Sequence, residues 1–404
     1  RRTYQGILEM EPGHGDATHL LGLLEHQLGR HDAAIELIRR ALKRFPANLL
    51  YRKNLAQILR DTGRLREAEQ AYRTALESEP RDADTLHRLG LTLAAMEQFD
   101  EAGDCISAAL AIHPGSVMWN DLGNIRTAQQ RWPEAADAYR HAIRLDSGIA
   151  VAHSNLGNAL RELYLLEESE VSCRTALDLD PGLFEAHHNL ANALRERGDL
   201  VNAEQSYRDA LALRPGDATV SLNYGFLQLL VGNYADGLPH FEQRLHGGNA
   251  RLTRECRQMS SSLAGAALWH PERDAAGASL LVWSEQGLGD SLMMWRYLPL
   301  LRQRGVVRVA LHCRAELLRL ANQIDGVDQV IPTDQALPSD RFDLHCPLMS
   351  LPLQFATRLE TIPNALPYVH VDNAAAEHWS QRMAGLRRPA VGLVWAGDKS
   401  LAND

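Results

Sequence analysis

The sequence lacks several features that would assign it at once to a specialised class of protein. Its 404 residues contain no apolar run approaching the roughly 18 residues of a membrane span, and no basic-then-apolar leader precedes the first repeat. No block of lysine and arginine appears, and the formal net charge is -9. We therefore expect no membrane span, no nucleic-acid partner and, by default, a cytoplasmic location.

Cysteine is also scarce. The five cysteines are far apart in the sequence, odd in number and without a CxxC pair. This count and spacing predict neither a disulfide framework nor a zinc site, and we expect no metal. With 45% hydrophobic and 23% charged residues, the chain has the composition of an ordinary protein of two or three globular units.

Proline recurs with a fixed period over the first 245 residues. Neighbouring prolines stand 34 residues apart, and one gap of 67 holds Ser147 at the missing position; the prolines are Pro12, Pro46, Pro80, Pro114, Pro181 and Pro215. Because Pro12 closes a repeat and residue 1 is Arg, we expect the chain to begin inside a repeat. Such a period predicts a repeat array.

Small residues recur in phase with the prolines. Glycine or alanine occupies one position, alanine a second twelve residues later and a third seven after that, as in Gly22, Ala34 and Ala41. At these small residues two helices must approach closely. Leucines such as Leu55 fill the interface between the two helices, which we call the seam. The pattern predicts stacked helical hairpins. With an aromatic such as Tyr72 and the closing proline, it resembles the tetratricopeptide repeat.

Asparagine recurs on the first helix of the hairpins, on a stripe turned away from the seam. Positions three apart share a helix face, so we expect these amides to line the inner groove and bind an extended polypeptide or peptide partner. The alternative is that they are solvated or bond within their own repeat. The residues are Asn54, Asn124, Asn155, Asn158, Asn189, Asn192 and Asn223.

Two stretches of this region, AHSNLGNALRE and AHHNLANALRERGDL, resemble repeats of O-linked N-acetylglucosamine transferase. In that family an asparagine ladder in the groove holds protein substrates. Leu20, Arg88 and Asp121 interrupt the ladder here.

After Gly225 the repeat decays, and a different pattern follows. Short apolar runs alternate with helical segments, which predicts a parallel, doubly wound sheet. The predicted strands are residues 278–284, 306–313, 327–331, 342–346, 367–371 and 390–397, and the predicted helices include 291–303, AELLRLANQI and HWSQRMAG.

The stretch SEQGLGDSL, residues 284 to 292, forms the first strand-to-helix turn of this sheet. Ligands of open α/β sheets bind at this carboxyl edge. Gly287 and Gly289 allow a tight turn and a close approach to a ligand. The third glycine of the dinucleotide fingerprint is missing, so NAD is disfavoured.

The stretches LLVWSEQGLGDSLMMWRYLPLL and VGLVWAGDKSLAND resemble the glycosyltransferase-like domain that follows such repeats in many bacterial proteins, and this domain is itself similar to heptosyltransferases. The resemblance implies the acceptor half of a GT-B fold, with Asp290 as candidate base for the acceptor hydroxyl. A nucleotide-sugar would be the donor for the full-length protein, and no cofactor would be tightly bound.

Other roles are open for the residues of this turn. Asp290 is also a preferred N-cap type, Glu285 is a rival acid, Gln286 would orient a hydroxyl, and Ser291 is another candidate cap.

Further candidates lie on the later strands. His345 and Cys346 end a strand near the ligand edge, where substrate contact and simple packing compete. Trp395 would stack on a sugar or pack in the core, and Lys399 would contact a phosphate or be solvated.

The sequence therefore predicts an α-helical solenoid at 1–246, a connector at 247–277, a Rossmann-like GT-B half at 278–389 and the first strand of a donor domain at 390–404. We expect a repeat protein that presents a polypeptide to a glycosyltransferase-like site. Because the donor half is missing, we expect this stretch alone to be inactive. The alternative is a noncatalytic interaction scaffold with a degenerate Rossmann-like domain.

Overall fold

The computed structural model describes residues 1–263, 265–285, 287–337, 342–370 and 373–384. Contacts divide the chain into two compact units, Arg1–Val220 and Ser221–Asp404.

The first unit consists of antiparallel helix pairs. After the single helix α1, the pairs α2/α3 to α12/α13 follow, with contacts within each pair and between successive pairs. The helices are α1 Arg2–Met10, α2 Gly15–Gln27, α3 His31–Arg44, α4 Leu49–Asp61, α5 Leu65–Ser78, α6 Ala83–Ala95, α7 Phe99–Ile112, α8 Ser116–Ala128, α9 Trp132–Leu145, α10 Ala150–Glu162, α11 Leu166–Leu179, α12 Phe184–Arg197 and α13 Leu200–Leu213.

Local sequence explains where these helices begin and end. The side chains of Asn48 and Asp82 accept hydrogen bonds at 3.1 Å from the backbone N–H three residues on, which satisfies a free donor of the first turn. Pro46 and Pro80 follow the last residues of α3 and α5, where a residue without N–H cannot continue the helix. The proline period therefore marks the link between repeats.

The small residues lie where paired helices touch, as predicted. A Cβ placed on Gly90 would lie 2.6 Å from Cγ1 of Ile106 and 3.0 Å from the carbonyl oxygen of Ala102. One on Gly157 would lie 2.3 Å from Sγ of Cys173. The prediction of close helix contact is confirmed.

The second unit starts within α14 Ala218–Leu230 and continues with α15 Tyr234–Phe241, a 3₁₀ helix Glu242–Leu245 and α16 Ala250–Ser262. The 13-residue α16 occupies much of the segment interpreted as an irregular connector. Asn249 caps it, since its Oδ1 accepts from the N–H of Leu252 at 3.1 Å.

A sheet of five parallel strands follows. The strands are β1 Ala267–Leu268, β2 Ser279–Trp283, β3 Arg308–Cys313, β4 Gln329–Pro332 and β5 Leu344–Pro347, in the order β1-β5-β2-β3-β4. Strand β2 is central, and Leu281 pairs with Ala310 on one side and His345 on the other. Burial on both faces explains why these strands read as continuous apolar runs.

The helices around the sheet differ in bounds and type from those that the sequence predicted. They are α17 Leu288–Met294, a 3₁₀ helix Trp295–Arg304, a 3₁₀ helix Ala315–Leu317, α18 Leu318–Ala321, α19 Leu351–Gln354 and α20 Asn373–Met383. The predicted helix 291–303 is helical throughout, but it is α-helical only to residue 294 and 3₁₀ from residue 295. Pro299 has no N–H to donate, which breaks the α-helical pattern there.

The strand predicted at 367–371 is also wrong over residues 367–370, which form no strand. Pro367 cannot donate to a strand ladder. Residue 371 and the strand predicted at 390–397 lie outside the described residues.

Candidate functional site

The asparagines that precede the seam leucines link successive repeats. The Nδ2 of Asn155 donates to Oδ1 of Asn120 at 3.2 Å and to Oδ1 of Asn124 at 3.1 Å. The Nδ2 of Asn189 donates to the backbone oxygen of Ser154 at 3.2 Å and to its Oγ at 3.1 Å. These bonds span 31 to 35 residues, so each ties one first helix to the first helix before it.

Asn54 follows the same rule. Its Nδ2 lies 2.9 Å from Nε2 of His19, again 35 residues earlier. Asn120, Ser154 and His19 were missed by the sequence argument. All three occupy one position of the repeat, immediately before the asparagine position of their own helix, and this shared position was the signal that would have found them.

The asparagines three residues further on behave differently. Asn124 accepts from the hydroxyl of Tyr139 at 2.9 Å, and Asn192 accepts from Tyr207 at 2.6 Å. Asn158 accepts from Arg161 at 3.2 Å. These bonds lie within their own repeat, but Asn124 also accepts from Asn155 of the next repeat at 3.1 Å. Asn223 is half-buried on α14.

Exposed apolar residues lie four positions before the bridging site on three of these helices. Leu50 precedes Asn54, Val151 precedes Asn155, and Val117 precedes Asp121. Their side chains are 60%, 47% and 61% exposed. Because residues four apart share a helix face, an apolar and a polar group stand side by side on one surface. We call this the asparagine face, defined by Leu50, Asn54, Val117, Asp121, Val151, Asn155 and Asn189.

Two arginines stand further along the same first helices. Arg161 on α10 donates through Nη1 to Oε1 of Glu196 at 2.7 Å. In the part of the chain that the structure describes, the buried Nε atoms of Arg161 and Arg195 have no hydrogen-bond partner. Burial lowers the pKa of nearby His188, although the charge of Asp217 opposes this. The helices α10 and α12 therefore carry both asparagine amides and arginine side chains.

In the second unit, Glu285 is held in a buried ion pair. Its Oε1 accepts from Nη2 of Arg244 at 2.8 Å and from the backbone N–H of Met349 at 3.2 Å, and the Glu285 side chain is fully buried. Arg244 also binds Glu242 and donates to Ser350 at 2.7 Å. Burial raises the pKa of Glu285, while the charge of Arg244 opposes the rise.

Asp290 does not stand before a helix but in its third position. Gly287 is the N-cap of α17, and its N–H donates to Oδ2 of Asp290 at 3.2 Å. The N-cap interpretation of Asp290 is therefore wrong, although the carboxylate does satisfy a free backbone donor. Ser291 is not the cap either, because its Oγ donates back to the carbonyl oxygen of Gly287 at 3.1 Å.

The two glycines of this turn do not have the conformation that favours glycine. Gly287 has φ −65° and ψ 172°, which any residue adopts, and Gly289 lies within α17 with open space where a Cβ would stand. The tight-turn argument is wrong for both. Gln286 lies outside the described residues, as do Trp395 and Lys399.

His345 is the second residue of β5 rather than its end, and it is fully buried. Nε1 of Trp283 donates to its Nδ1 at 3.3 Å, and its Nε2 lies 3.4 Å from Oγ of Ser260. Burial lowers the pKa of His345 to about 4. The packing alternative therefore describes its position, and the prediction that it ends the strand is wrong. No described group of three or more His, Cys, Asp or Glu side chains is arranged to hold a metal ion.

The helix pairs with a 34-residue period define a tetratricopeptide repeat protein. Residues 8–221 match the family described as "Cilia and flagella-associated protein 70 C-terminal domain", which is more than half of the chain. The chain belongs to this family of tetratricopeptide repeat domains. None of its described helices has the length and apolar character that a membrane crossing requires.

Curated relatives match over parts of their length. The "Peroxisomal targeting signal receptor" of Eremothecium gossypii is 29% identical over 187 residues, 38% of this chain and 33% of the relative. The human "Protein O-mannosyl-transferase TMTC1" is 31% identical over 142 residues, 34% of this chain and 16% of the relative. The chain thus spans a third or less of these two relatives.

A solved structure of a tetratricopeptide repeat protein from Parabacteroides merdae ATCC 43184 shares the fold. It superposes with a TM-score of 0.51 at 16% identity and covers 65% of this chain and 100% of its own. This likeness concerns the fold alone.

Proposed function

We propose that the chain is a protein-interaction scaffold whose asparagine face binds an extended peptide segment of a partner. The observation that carries the proposal is the side-by-side placement of an exposed apolar residue and a bridging amide on one first helix, as in Val151 with Asn155 and Leu50 with Asn54. Amides pair with a peptide backbone whatever its sequence, and apolar neighbours contact alternate side chains. The family assignment and the name of the E. gossypii relative, a targeting-signal receptor, support the same reading.

The side-chain amides of Asn155 and Asn189 are already ordered by hydrogen bonds within the chain. The Nδ2 groups of Asn155 and Asn189 are tied to the preceding repeat. Across the residues that the structure describes, their Oδ1 atoms accept no hydrogen bond from the chain. Each fixed oxygen is thus free to accept a backbone N–H of a bound peptide. A side chain that is already ordered loses little conformational entropy on binding.

The experiment uses a random decapeptide library as probe. Binders selected on the whole chain would be retested against the double variant Asn155→Ala/Asn189→Ala and against Val151→Ser. Loss of two backbone hydrogen bonds is expected to weaken affinity about tenfold or more. Val151→Ser keeps every bridging bond and is expected to weaken it about threefold to tenfold by removing apolar contact.

The matched control is Asn202→Ala on the second helix α13, whose Nδ2 bonds only the neighbouring Asp199 at 2.8 Å. Circular dichroism would check that all variants remain helical. Peptides that bind all four proteins equally, or a library that yields no binder, would remove the proposal.

Glycosyl transfer is the second candidate, and one observation favours it. The chain proceeds from β2 through β3 to β4 on one side of the sheet and then returns to β5 on the other side of β2, a change of strand order that is also found in nucleotide-binding sheets of Rossmann type. On this view Asp290 takes the proton of an acceptor hydroxyl and a nucleotide-sugar is the donor. Asp290→Asn in the full-length protein should then abolish transfer from a nucleotide-sugar panel while the fold persists, because Asn still accepts from Gly287. Retained turnover would exclude Asp290 as the base.

A further inference from the structure

A cavity of about 680 Å³ opens at the carboxyl edge of the sheet in the second unit. Its walls are α16 on one side and the segments that follow β2, β3 and β4 on the other. The carboxyl ends of parallel strands are where open α/β sheets bind ligands. The volume lies within the range of about 300–1,000 Å³ that small-molecule sites occupy.

Three polar side-chain atoms at this cavity are buried and, among the described residues, lack a hydrogen-bond partner. They are Oγ of Ser284, Oε2 of Glu285 and Nδ1 of His312. The Glu285 side chain is fully buried and His312 is 8% exposed. The strands hold two of these residues together, because the N–H of Ser284 donates to the carbonyl oxygen of His312 at 2.9 Å.

Such atoms are rare in folded proteins, since a buried polar group without a partner costs free energy. One isolated case needs no ligand to explain it. Three that line the same cavity indicate that a bound molecule completes their hydrogen bonds. Glu285 keeps one oxygen in the ion pair with Arg244, and its other oxygen is buried and has no partner among the described residues.

The charges at the cavity differ between its walls. Arg314, which follows β3, is exposed, and no described carboxylate lies within ion-pair distance of it. On the opposite wall Arg251 lies 3.8 Å from Glu255. The cavity therefore offers an unpaired cation near solvent and, deeper, a carboxylate oxygen that only a hydrogen-bond donor can approach.

We propose that this cavity binds a monosaccharide phosphate. The phosphate pairs with Arg314, and sugar hydroxyls donate to Oε2 of Glu285 and exchange hydrogen bonds with Ser284 and His312. A simple anion would have only the contact with Arg314, because the carboxylates of Glu285 and Glu255 repel it. The site does not involve Asp290, which lines a separate cavity of about 410 Å³. It is also independent of the asparagine face, which lies in the other unit.

The test is calorimetric titration of the whole chain with glucose 6-phosphate, and with glucose and inorganic phosphate as single-determinant probes. Arg314→Gln is expected to weaken glucose 6-phosphate binding about tenfold or more, because a charge-assisted bond is lost. Ser284→Ala is expected to weaken it about threefold to tenfold. The Oγ of Ser284 bonds nothing in the described chain, so its removal should leave thermal stability unchanged.

The matched control is Arg254→Gln, an exposed arginine of α16 that does not line the cavity. Unchanged binding by this variant, with the two losses above, supports the proposal. Binding that all three variants retain places the ligand elsewhere and overturns it, as does an absence of binding at millimolar concentration. Phosphate that binds as tightly as glucose 6-phosphate, with no effect of Ser284→Ala, overturns the assignment to a sugar.

Discussion

The two units bury different kinds of groups. Where paired helices of the solenoid approach most closely, the recurring residues are small and uncharged, such as Ala34 and Ala68, both inaccessible to solvent. The sheet unit holds a network of one buried arginine with two carboxylates, Arg244 with Glu285 and Glu242. The contact recurs in the six helix pairs from α2/α3 to α12/α13, and it uses small residues without charge at the position of Ala34 and Ala68. A single sheet carries one such network at one place.

The largest expected effect in this comparison comes from the buried network. Arg244→Met leaves two carboxylates without their cation, and removal of one partner from a buried pair costs about 3–5 kcal/mol. The solenoid counterpart is Arg174→Met, which removes a pair 52% exposed on the arginine side and should cost about 0–1 kcal/mol. Urea unfolding followed by tryptophan fluorescence measures both. Equal losses of unfolding free energy in the two variants would show that burial does not make the Arg244 ion pairs more important for stability.

The next effect is a pH dependence that comes from His345 in the sheet unit. The pKa of His345 is about 4 in the folded protein against about 6.5 in the unfolded chain. Between these values the unfolded state binds the proton and the folded state does not. Stability is therefore full above about pH 6.5 and falls by about 3 kcal/mol as pH drops to about 4.

The variant His345→Gln removes this titration. The difference in unfolding free energy between the two proteins should change with pH across this window and be flat above it. A difference that is constant from pH 4 to 8 would assign His345 an ordinary pKa.

A smaller effect separates the two kinds of glycine. Gly157→Ala places a Cβ against Cys173 and 3.2 Å from the carbonyl oxygen of Ser169, and such overpacking costs about 1–3 kcal/mol. Gly289→Ala meets open space within a helix and should gain about 0.5–1 kcal/mol. Thermal melts of both variants measure the contrast. A destabilised Gly289→Ala protein would point to a neighbour outside the described residues.

The smallest effect concerns the helix starts. Asn48→Ala removes a true N-cap of the solenoid and should cost about 1 kcal/mol. Asp290→Ala removes only the reciprocal bond to Gly287 and should cost about half as much. Thermal melts that rank the two variants in the opposite order would contradict the cap assignment.

The sequence predicts the repeat region far better than the sheet region. In the repeats, each position is sampled several times, so Gly22, Gly90 and Gly157 reveal a close contact that no single glycine would. Four strands of the sheet were placed within two residues or less because their apolar runs are continuous. The two-residue β1 has no such pattern and was missed.

The candidate sites of the two regions differ in the same way in how well the sequence predicts them. Hydrogen bonds from Asn155 and Asn189 obey the repeat, so their partners were within reach of the sequence. The pairing of Glu285 with Arg244 joins residues 41 apart that share no periodic relation, and only the fold brings them together. The buried position of His345 depends likewise on Trp283 and Ser260, which approach from other elements.

The bridging asparagines also have a mechanical consequence. Each bond joins a first helix only to the one before it, so an opened interface between two repeats leaves the others intact. Under tension the array should therefore yield in steps of one repeat. A peptide bound across several of these hydrogen bonds would hold neighbouring repeats together, and it would raise the force at which the first repeat separates.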